Sequence, residues 1–238
     1  MAEIKLNQII LADCMDIMRD IPDKYFELAI VDPPYGIGEG RKVNSRPESV
    51  KQKNGTVLYV PHKYKVKNWD DAIPDKYYFN ELIRISKNQI IWGGNYFIEY
   101  LKNTSCFIVW DKVNGDSDFA DCELAWCSFN TAVRQIKFMW SGFCQGKDIK
   151  NGHIQQGNKK LNEKRIHPTQ KPVALYRWLL QNYAKTGDKI IDTHSGSGSC
   201  AIACHIEKHD FLAIEKDPDY HAASVKRLEE VRAQGVLF

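Results

Sequence analysis

No stretch of the 238 residues is apolar for long enough to cross a bilayer. The first residues, Met1-Ala2-Glu3-Ile4-Lys5-Leu6, lack the basic region and apolar run of a secretory signal. Paired cysteine spacings are missing too. The seven cysteines (Cys14, Cys106, Cys122, Cys127, Cys144, Cys200, Cys204) are scattered, several inside hydrophobic runs where a free thiol acts as a small apolar residue. Cys200-x-x-x-Cys204-His205 has no second pair to complete a four-ligand zinc site, so it reads as core, and no metal is expected. There is no internal repeat. Membrane-spanning, disulfide-framework and zinc-module classes are thereby set aside, leaving the expectation of a soluble, cytoplasmic chain with reduced thiols. What is present, 43% hydrophobic and 11% aromatic residues, suffices for one packed domain.

The net charge of +3 is unevenly spread. Residues 41–67 carry eight Lys or Arg against Glu48 alone, and residues 144–171 carry seven against Asp148 and Glu163. These segments are +7 and +5, which leaves −9 for the remainder. Such concentration suits a polyanionic partner, while the plainer reading is two solvated, lysine-rich loops.

Phe26-Glu27-Leu28-Ala29-Ile30-Val31 reads as a strand that stops at Asp32-Pro33-Pro34-Tyr35-Gly36, because consecutive prolines cannot continue a ladder. Gly38 to Asn68 is polar and without periodicity, too long for a simple connection. A helix is predicted from about Pro74 to Lys87 on Tyr78, Leu82, Ile83 and Ile85. Strand-like runs follow at 89–92, 106–110, 123–127 and 135–140. Pro172 opens a helix with Leu175, Trp178, Leu179 and Tyr183 at helical spacing, ended by Gly187. The C-terminal part reads strand (189–192), glycine turn, helix (199–208), strand (211–215), then a helix from Pro218 capped by Asp217. Alternating strands and helices predict an α/β fold, a mostly parallel sheet with helices on both faces. The tryptophans Trp92, Trp110, Trp126 and Trp140 read as core, and Asp111 with Lys112 as a plain surface ion pair.

Two motifs carry chemistry. The first is Asp192-Thr193-His194-Ser195-Gly196-Ser197-Gly198-Ser199 between a strand and a helix, with Glu215 ending the next strand. Glycines let a ligand approach the backbone, and a strand-end acid commonly accepts hydrogen bonds from ribose hydroxyls. Ile202 stands where a dinucleotide fingerprint has its third glycine, so a nucleoside without a pyrophosphate suits the turn better. The second motif is Asp32-Pro33-Pro34-Tyr35. The lone pair of an exocyclic amino group on a base is delocalised into the ring. A carboxylate (Asp32) and a carbonyl (Pro33) accepting its two N–H groups would free that lone pair. Prolines 33 and 34 stiffen the loop, and Tyr35 offers a face on which an extruded base could stack. The bland alternative is a strand-ending turn.

With the catalytic-type motif first and the cofactor-type motif last, the chain resembles the amino-methylating DNA methyltransferases of the β arrangement. Ile166-His167-Pro168-Thr169-Gln170-Lys171-Pro172, Leu11-Ala12-Asp13-Cys14, Trp92-Gly93-Gly94-Asn95-Tyr96-Phe97 and Trp110-Asp111-Lys112 extend the likeness from about Asn7 to Arg232. It departs at Thr193-His194, where the family usually has Pro-Phe. The resemblance implies one Rossmann-like methyltransferase domain over 1–238, with a basic loop at about 38–68, a target-recognition insertion at about 141–166 and one antiparallel strand near a sheet edge. It implies S-adenosylmethionine as cofactor, contacted by Asp13, His167, Thr169, Lys171, Asp192, Ser195, Gly196, Ser197, Gly198, Ser199 and Glu215. Catalysis is expected of Asp32, Pro33, Pro34 and Tyr35, without a covalent enzyme intermediate, in keeping with the lack of a Pro-Cys pair. The target is expected to be adenine N6 in double-stranded DNA, gripped by Lys51, Lys53, Lys63, Lys65, Lys159, Lys160 and Lys164. A homodimer is one assembly this reading admits. Cytosine N4, an RNA amino group, and an inactive DNA-binding subunit stay open as alternatives.

Overall fold

The computed structural model describes residues 4–42, 50–51, 57–59, 64–115, 120–141 and 144–235. Eight strands form one sheet. In chain order they are β1 (Gln8–Leu11), β2 (Phe26–Val31), then, after the short pair β3 (Val50–Lys51) and β4 (Val57–Tyr59), β5 (Ser86–Trp92), β6 (Phe107–Asp111), β7 (Cys122–Cys127) and β8 (Arg134–Lys137). A second small pair, β9 (Trp140–Ser141) and β10 (Cys144–Gln145), precedes β11 (Lys189–Asp192) and β12 (Asp210–Glu215). The sheet order is β1-β12-β11-β2-β5-β7-β6-β8. The last two strands of the chain are thus inserted between its first two, with β11 parallel to β2 and β12 parallel to β1. The antiparallel strand is β7, which lies third from the β8 edge, between β5 and β6.

Helices cover both faces, as parallel strands require. Leu28, Ile30, Ile90 and Ile190 point to one side, under α4 (Val173–Tyr183), α5 (Ser199–Glu207) and α6 (Pro218–Ala233). Their neighbours Ala29, Val31, Ile91 and Ile191 face the other, under α1 (Cys14–Met18) and α3 (Lys76–Ile85). A one-turn helix, α2 (Glu39–Lys42), follows the Pro-Pro loop. The four tryptophans Trp92, Trp110, Trp126 and Trp140 are buried in this core, as are Cys200 and Cys204.

The strand expected at 135–140 ends at Lys137, Trp140 belonging to the separate β9–β10 pair, and three further elements differ from expectation. The strand β1 has no counterpart in the sequence reading: it is four residues long and, among the described residues, pairs only with β12, so it leaves little pattern. Helix α3 stops at Ile85, and Ser86 and Lys87 are already strand, because the Lys24 ammonium binds the carbonyls of Ile83 and Ser86 and ends the helix there. Helix α4 ends at Tyr183, four residues before Gly187, whose left-handed φ of 89° serves the turn into β11. Among the described residues no helix is long and apolar enough to cross a membrane.

Candidate active site

β2, β11 and β12 run in one direction and end at the same edge, so Asp32, Asp192 and Glu215 emerge side by side. Asp32 follows β2 directly. Its Oδ1 accepts from the Tyr35 hydroxyl at 2.6 Å, and its Oδ2 from the Lys171 ammonium at 2.5 Å. Lys171 Nζ also stands 3.0 Å from Glu123 Oε2, and Lys112 Nζ 2.5 Å from Glu123 Oε1. Two carboxylates and two ammonium groups therefore alternate in a half-buried chain with no net charge, Lys171 being its buried member, which is how such ions tolerate loss of water. Burial pushes the Asp32 carboxyl above its ordinary value, against the pull of Lys171. Burial likewise works against the Lys171 ammonium, but the Asp32 and Glu123 carboxylates outweigh it and hold that group above an ordinary lysine.

Two placements here lie outside what the sequence reading contained. Lys171, expected among the cofactor contacts, has its ammonium on the catalytic-type carboxylate, because its residue precedes α4 at the same sheet edge and its side chain turns inward with 4% exposure. Asp111 and Lys112 do not pair with each other: Lys112 takes Glu123, while Asp111 Oδ1 accepts from Val113 N at 2.9 Å.

The Tyr35 ring stacks on Tyr96 (centroids 4.9 Å apart, planes 13° apart) and meets Phe97 edge-on at 6.1 Å. Gly93, at φ 70°, packs directly beneath it, and a Cβ there would overlap the ring. That is the use of the first glycine in Trp92-Gly93-Gly94-Asn95-Tyr96-Phe97, while the second packs against Trp126. The Tyr35 backbone is held as well: its N–H and that of Gly36 donate to Asp70 Oδ1 at 2.7 and 2.9 Å.

The glycine turn lies next door. Gly198, at φ 73°, precedes α5, and a Cβ on it would press on Ser224 at 3.0 Å and Ile9 at 3.2 Å. Over Gly196 the space is open, the first atom a Cβ would meet being His167 Cδ2 at 3.9 Å. The Glu215 carboxylate accepts from Gly196 N at 2.6 Å and Asp217 N at 2.8 Å, which ties the turn to the end of β12. Asp192 Oδ1 accepts from His194 N at 3.1 Å, and its burial raises its carboxyl to about 8. The Ser195 hydroxyl is buried with no hydrogen-bond partner among the described residues. Ser197 and Ser199 hydroxyls bond each other at 3.0 Å, and Arg227 holds the Ser197 carbonyl. Asp13 caps α1 through Met15 N and pairs with Lys216 at 2.7 Å, beside the same turn.

Thr193 and His194, the departure from the family pattern, form a small network with Tyr78. The Tyr78 hydroxyl is 2.7 Å from Thr193 Oγ1, which is 3.0 Å from His194 Nδ1. The imidazole meets the Tyr78 ring edge-on at 5.1 Å, and burial drops its pKa to about 4, so it is neutral near pH 7. His167 is buried too, its ring 4.9 Å from Trp69 and 4.2 Å from Tyr220, with Thr169 Oγ1 at 3.1 Å from Nδ1. Burial, followed by the nearby Lys171, lowers His167 to about 3.

The basic side chains scatter. Lys53 and Lys63 lie outside the described residues, as does the Lys51 side chain. Lys65 is 3.1 Å from Asp219 at the start of α6, and its neighbour Lys67 is 2.5 Å from Asp217. Lys159, Lys160 and Lys164 are exposed on the second segment. That segment is shaped by the β9–β10 pair and by the Gln145 side-chain amide, which binds both backbone groups of Glu163 (2.8 and 2.9 Å). Sequence reasoning missed Asp70, Glu123, Lys112 and Tyr78 as site residues. The first lies just beyond a stretch without periodicity, Lys112 reads as half of a surface ion pair, and Glu123 and Tyr78 look like ordinary strand and helix residues until the fold brings them together.

A parallel sheet with helices on both faces, a glycine turn and strand-end acid at its carboxyl edge and an Asp-Pro-Pro-Tyr loop alongside define a Rossmann-like methyltransferase. A family model described as DNA methylase, covering N6- and N4-type enzymes, matches residues 44–226. The chain belongs to that family of DNA methyltransferases. It is similar to Type II methyltransferase M.HinfI of Haemophilus influenzae, 25% identical over 95% of this chain and 69% of that protein. It is also similar to Type II methyltransferase M2.LlaDCHI of Lactococcus lactis subsp. cremoris, 23% identical over 98% and 93%. In fold it matches the M1.HpyAVI–SAM complex with a TM-score of 0.52 at 20% identity, covering 92% of this chain and 98% of that one. PvuII DNA methyltransferase (cytosine-N4-specific) matches with 0.52 at 13% identity, over 95% and 91%.

Proposed function

We propose that this chain transfers a methyl group from S-adenosylmethionine to an exocyclic amino nitrogen of DNA, adenine N6, with the target base turned out of the duplex. The observation that carries the reading is the Asp32 carboxylate, charge-compensated by Lys171 and set at the sheet edge beside Asp192 and Glu215.

The turn suits the proposed cofactor: open space over Gly196, a buried Ser195 hydroxyl in need of a partner, and a strand-end carboxylate placed for ribose hydroxyls. Asp192, Ser195 to Ser199, Glu215, Asp13 and His167 would hold it. When bound, it supplies an electrophilic methyl group on a sulfonium.

Catalysis by the chain's own residues then follows. Asp32 Oδ1 takes one N–H of the amino group in place of the Tyr35 hydroxyl, and the Pro33 carbonyl takes the other. These acceptors draw the nitrogen's lone pair out of the ring, and Asp32 is placed to receive the proton that leaves as the new bond forms. Lys171 keeps Asp32 oriented and favours its anionic form until that proton arrives, and Tyr35, backed by Tyr96, gives the base an aromatic face. Adenine is favoured by Asp, rather than Ser, ahead of Pro-Pro-Tyr. Cytosine N4 is the second reading, because a cytosine-N4-specific enzyme shares the fold.

The test is incubation with labelled S-adenosylmethionine and, in separate reactions, unmethylated DNA or RNA, followed by nucleoside analysis. N6-methyladenine is the expected product. N4-methylcytosine would move the target, label in RNA alone would move the substrate, and DNA binding without transfer would make the chain a non-catalytic subunit.

A further inference from the structure

Pro33 and Pro34 have no N–H, so the first backbone donor of the catalytic loop belongs to Tyr35. That donor and three more from the same loop converge on one residue. Asp70 Oδ1 accepts from Tyr35 N (2.7 Å) and Gly36 N (2.9 Å), Oδ2 from Glu39 N (2.9 Å), and the Asp70 carbonyl from Gly38 N (3.0 Å). Its exposure is 2%, which makes the three charge-assisted bonds to the carboxylate strong and the loss of that carboxylate costly.

Asp70 is itself fixed from the cofactor side. Lys67, three residues earlier, has a largely buried ammonium 2.5 Å from Asp217 and 2.9 Å from Asp219, and lies 4.6 Å over the Tyr220 ring. Trp69 packs on His167, and Lys67 N donates to the Gly40 carbonyl at 3.2 Å. The stretch 65–71 is therefore a strap. One side holds the loop that carries Tyr35, and the other rests on the cap and first turn of α6, just beyond Glu215.

We propose that Asp70 is a positioning residue for amino-group methylation. It holds the Tyr35–Glu39 backbone so that the Asp32 carboxylate, the Pro33 carbonyl and the Tyr35 ring face the base together, and Lys67 anchors it to the cofactor end of the site. The inference rests on the proposed function but is testable apart from it. In Asp70→Asn one carboxylate oxygen becomes an NH₂ that cannot accept, so at least one of the three side-chain bonds is lost while the volume is kept.

Two measurements on the full chain decide the matter. Amide hydrogen exchange by mass spectrometry should quicken at least tenfold across 35–39 in Asp70→Asn, with 190–220 unchanged. Single-turnover methyl transfer should slow at least tenfold, while S-adenosylmethionine affinity and the KM for DNA stay within about threefold. Asp70→Ala should exceed both effects, and the Asn variant stands alone where Ala does not fold. Unchanged exchange at 35–39 would overturn the proposal. So would a wild-type transfer rate despite faster exchange, or a fall in cofactor affinity that matches the fall in rate, since that pattern marks a general loss of structure. Should the wild-type chain transfer no methyl group, the proposed function fails, and the exchange measurement still decides whether Asp70 orders the loop.

Discussion

Asp32 and Lys171 touch at 2.5 Å, yet their removal should have opposite kinds of consequence. In Asp32→Ala the Lys171 ammonium keeps Glu123 at 3.0 Å as a partner, shared with Lys112, so the buried cation is not left alone and the chain should fold. Methyl transfer should be abolished, because the acceptor for the amino N–H is gone, and wild-type-like turnover in a radiolabel assay would refute the mechanism. Lys171→Met instead strands two buried carboxylates with Lys112 alone. Breaking a buried pair by deleting one partner costs about 3–5 kcal/mol, so this variant should show a large fall in unfolding free energy in urea. A midpoint within error of wild type would mean that the carboxylates relax into solvent and that the chain of charges is not a structural element. Asp32 was legible as a residue because it sits inside a four-letter motif. Its counter-ion was not, being 139 positions away.

At the level of elements, the glycine turn, α5 and β12 were readable almost to the residue. Each is local: a strand, a left-handed glycine, a helix start and a second strand within 27 residues. What could not be read is that Glu215 has two tasks. Besides facing the proposed ribose position, its carboxylate pins Gly196 N and Asp217 N and so shapes the turn. Glu215→Ala should weaken S-adenosylmethionine binding by about 1.5–3 kcal/mol, as for the loss of a charged hydrogen-bond partner. Titration calorimetry gives the check, and an unchanged Kd would remove Glu215 from the site. The unexpected β1 and the early end of α3 have the same origin: edge pairing and a lysine from a distant turn decide where those elements begin and stop.

Across the molecule as a whole, the charge asymmetry acquires a more specific meaning. Lys65 and Lys67, near the end of the first basic segment, are spent on Asp217 and Asp219, so part of that +7 is internal structure. Among the described residues, Lys159, Lys160 and Lys164 are the members of the proposed DNA grip that stand exposed on the second segment. Replacing all three with Gln should weaken DNA binding across all sequences and reduce the log–log salt slope by about 0.9 for each phosphate no longer neutralised. Cofactor affinity should not change. A salt slope equal to wild type, measured by fluorescence anisotropy over a salt series, would locate DNA binding elsewhere on the surface.

Local sequence was enough to dictate the alternation of strands and helices, the two motifs and their order, because each depends on residues within a few positions of one another. It was also enough to make Trp92, Trp110, Cys200 and Cys204 core, since apolar runs have nowhere else to go. That the two motifs share one edge is a product of the folded chain, through insertion of β11 and β12 between β1 and β2. So is the compensation of Asp32 by Lys171 and Glu123, and the hold of Asp70 on the catalytic loop. Buried ions and backbone donors must find partners wherever the chain can bring them, and that requirement is met in space, with no trace in neighbouring residues.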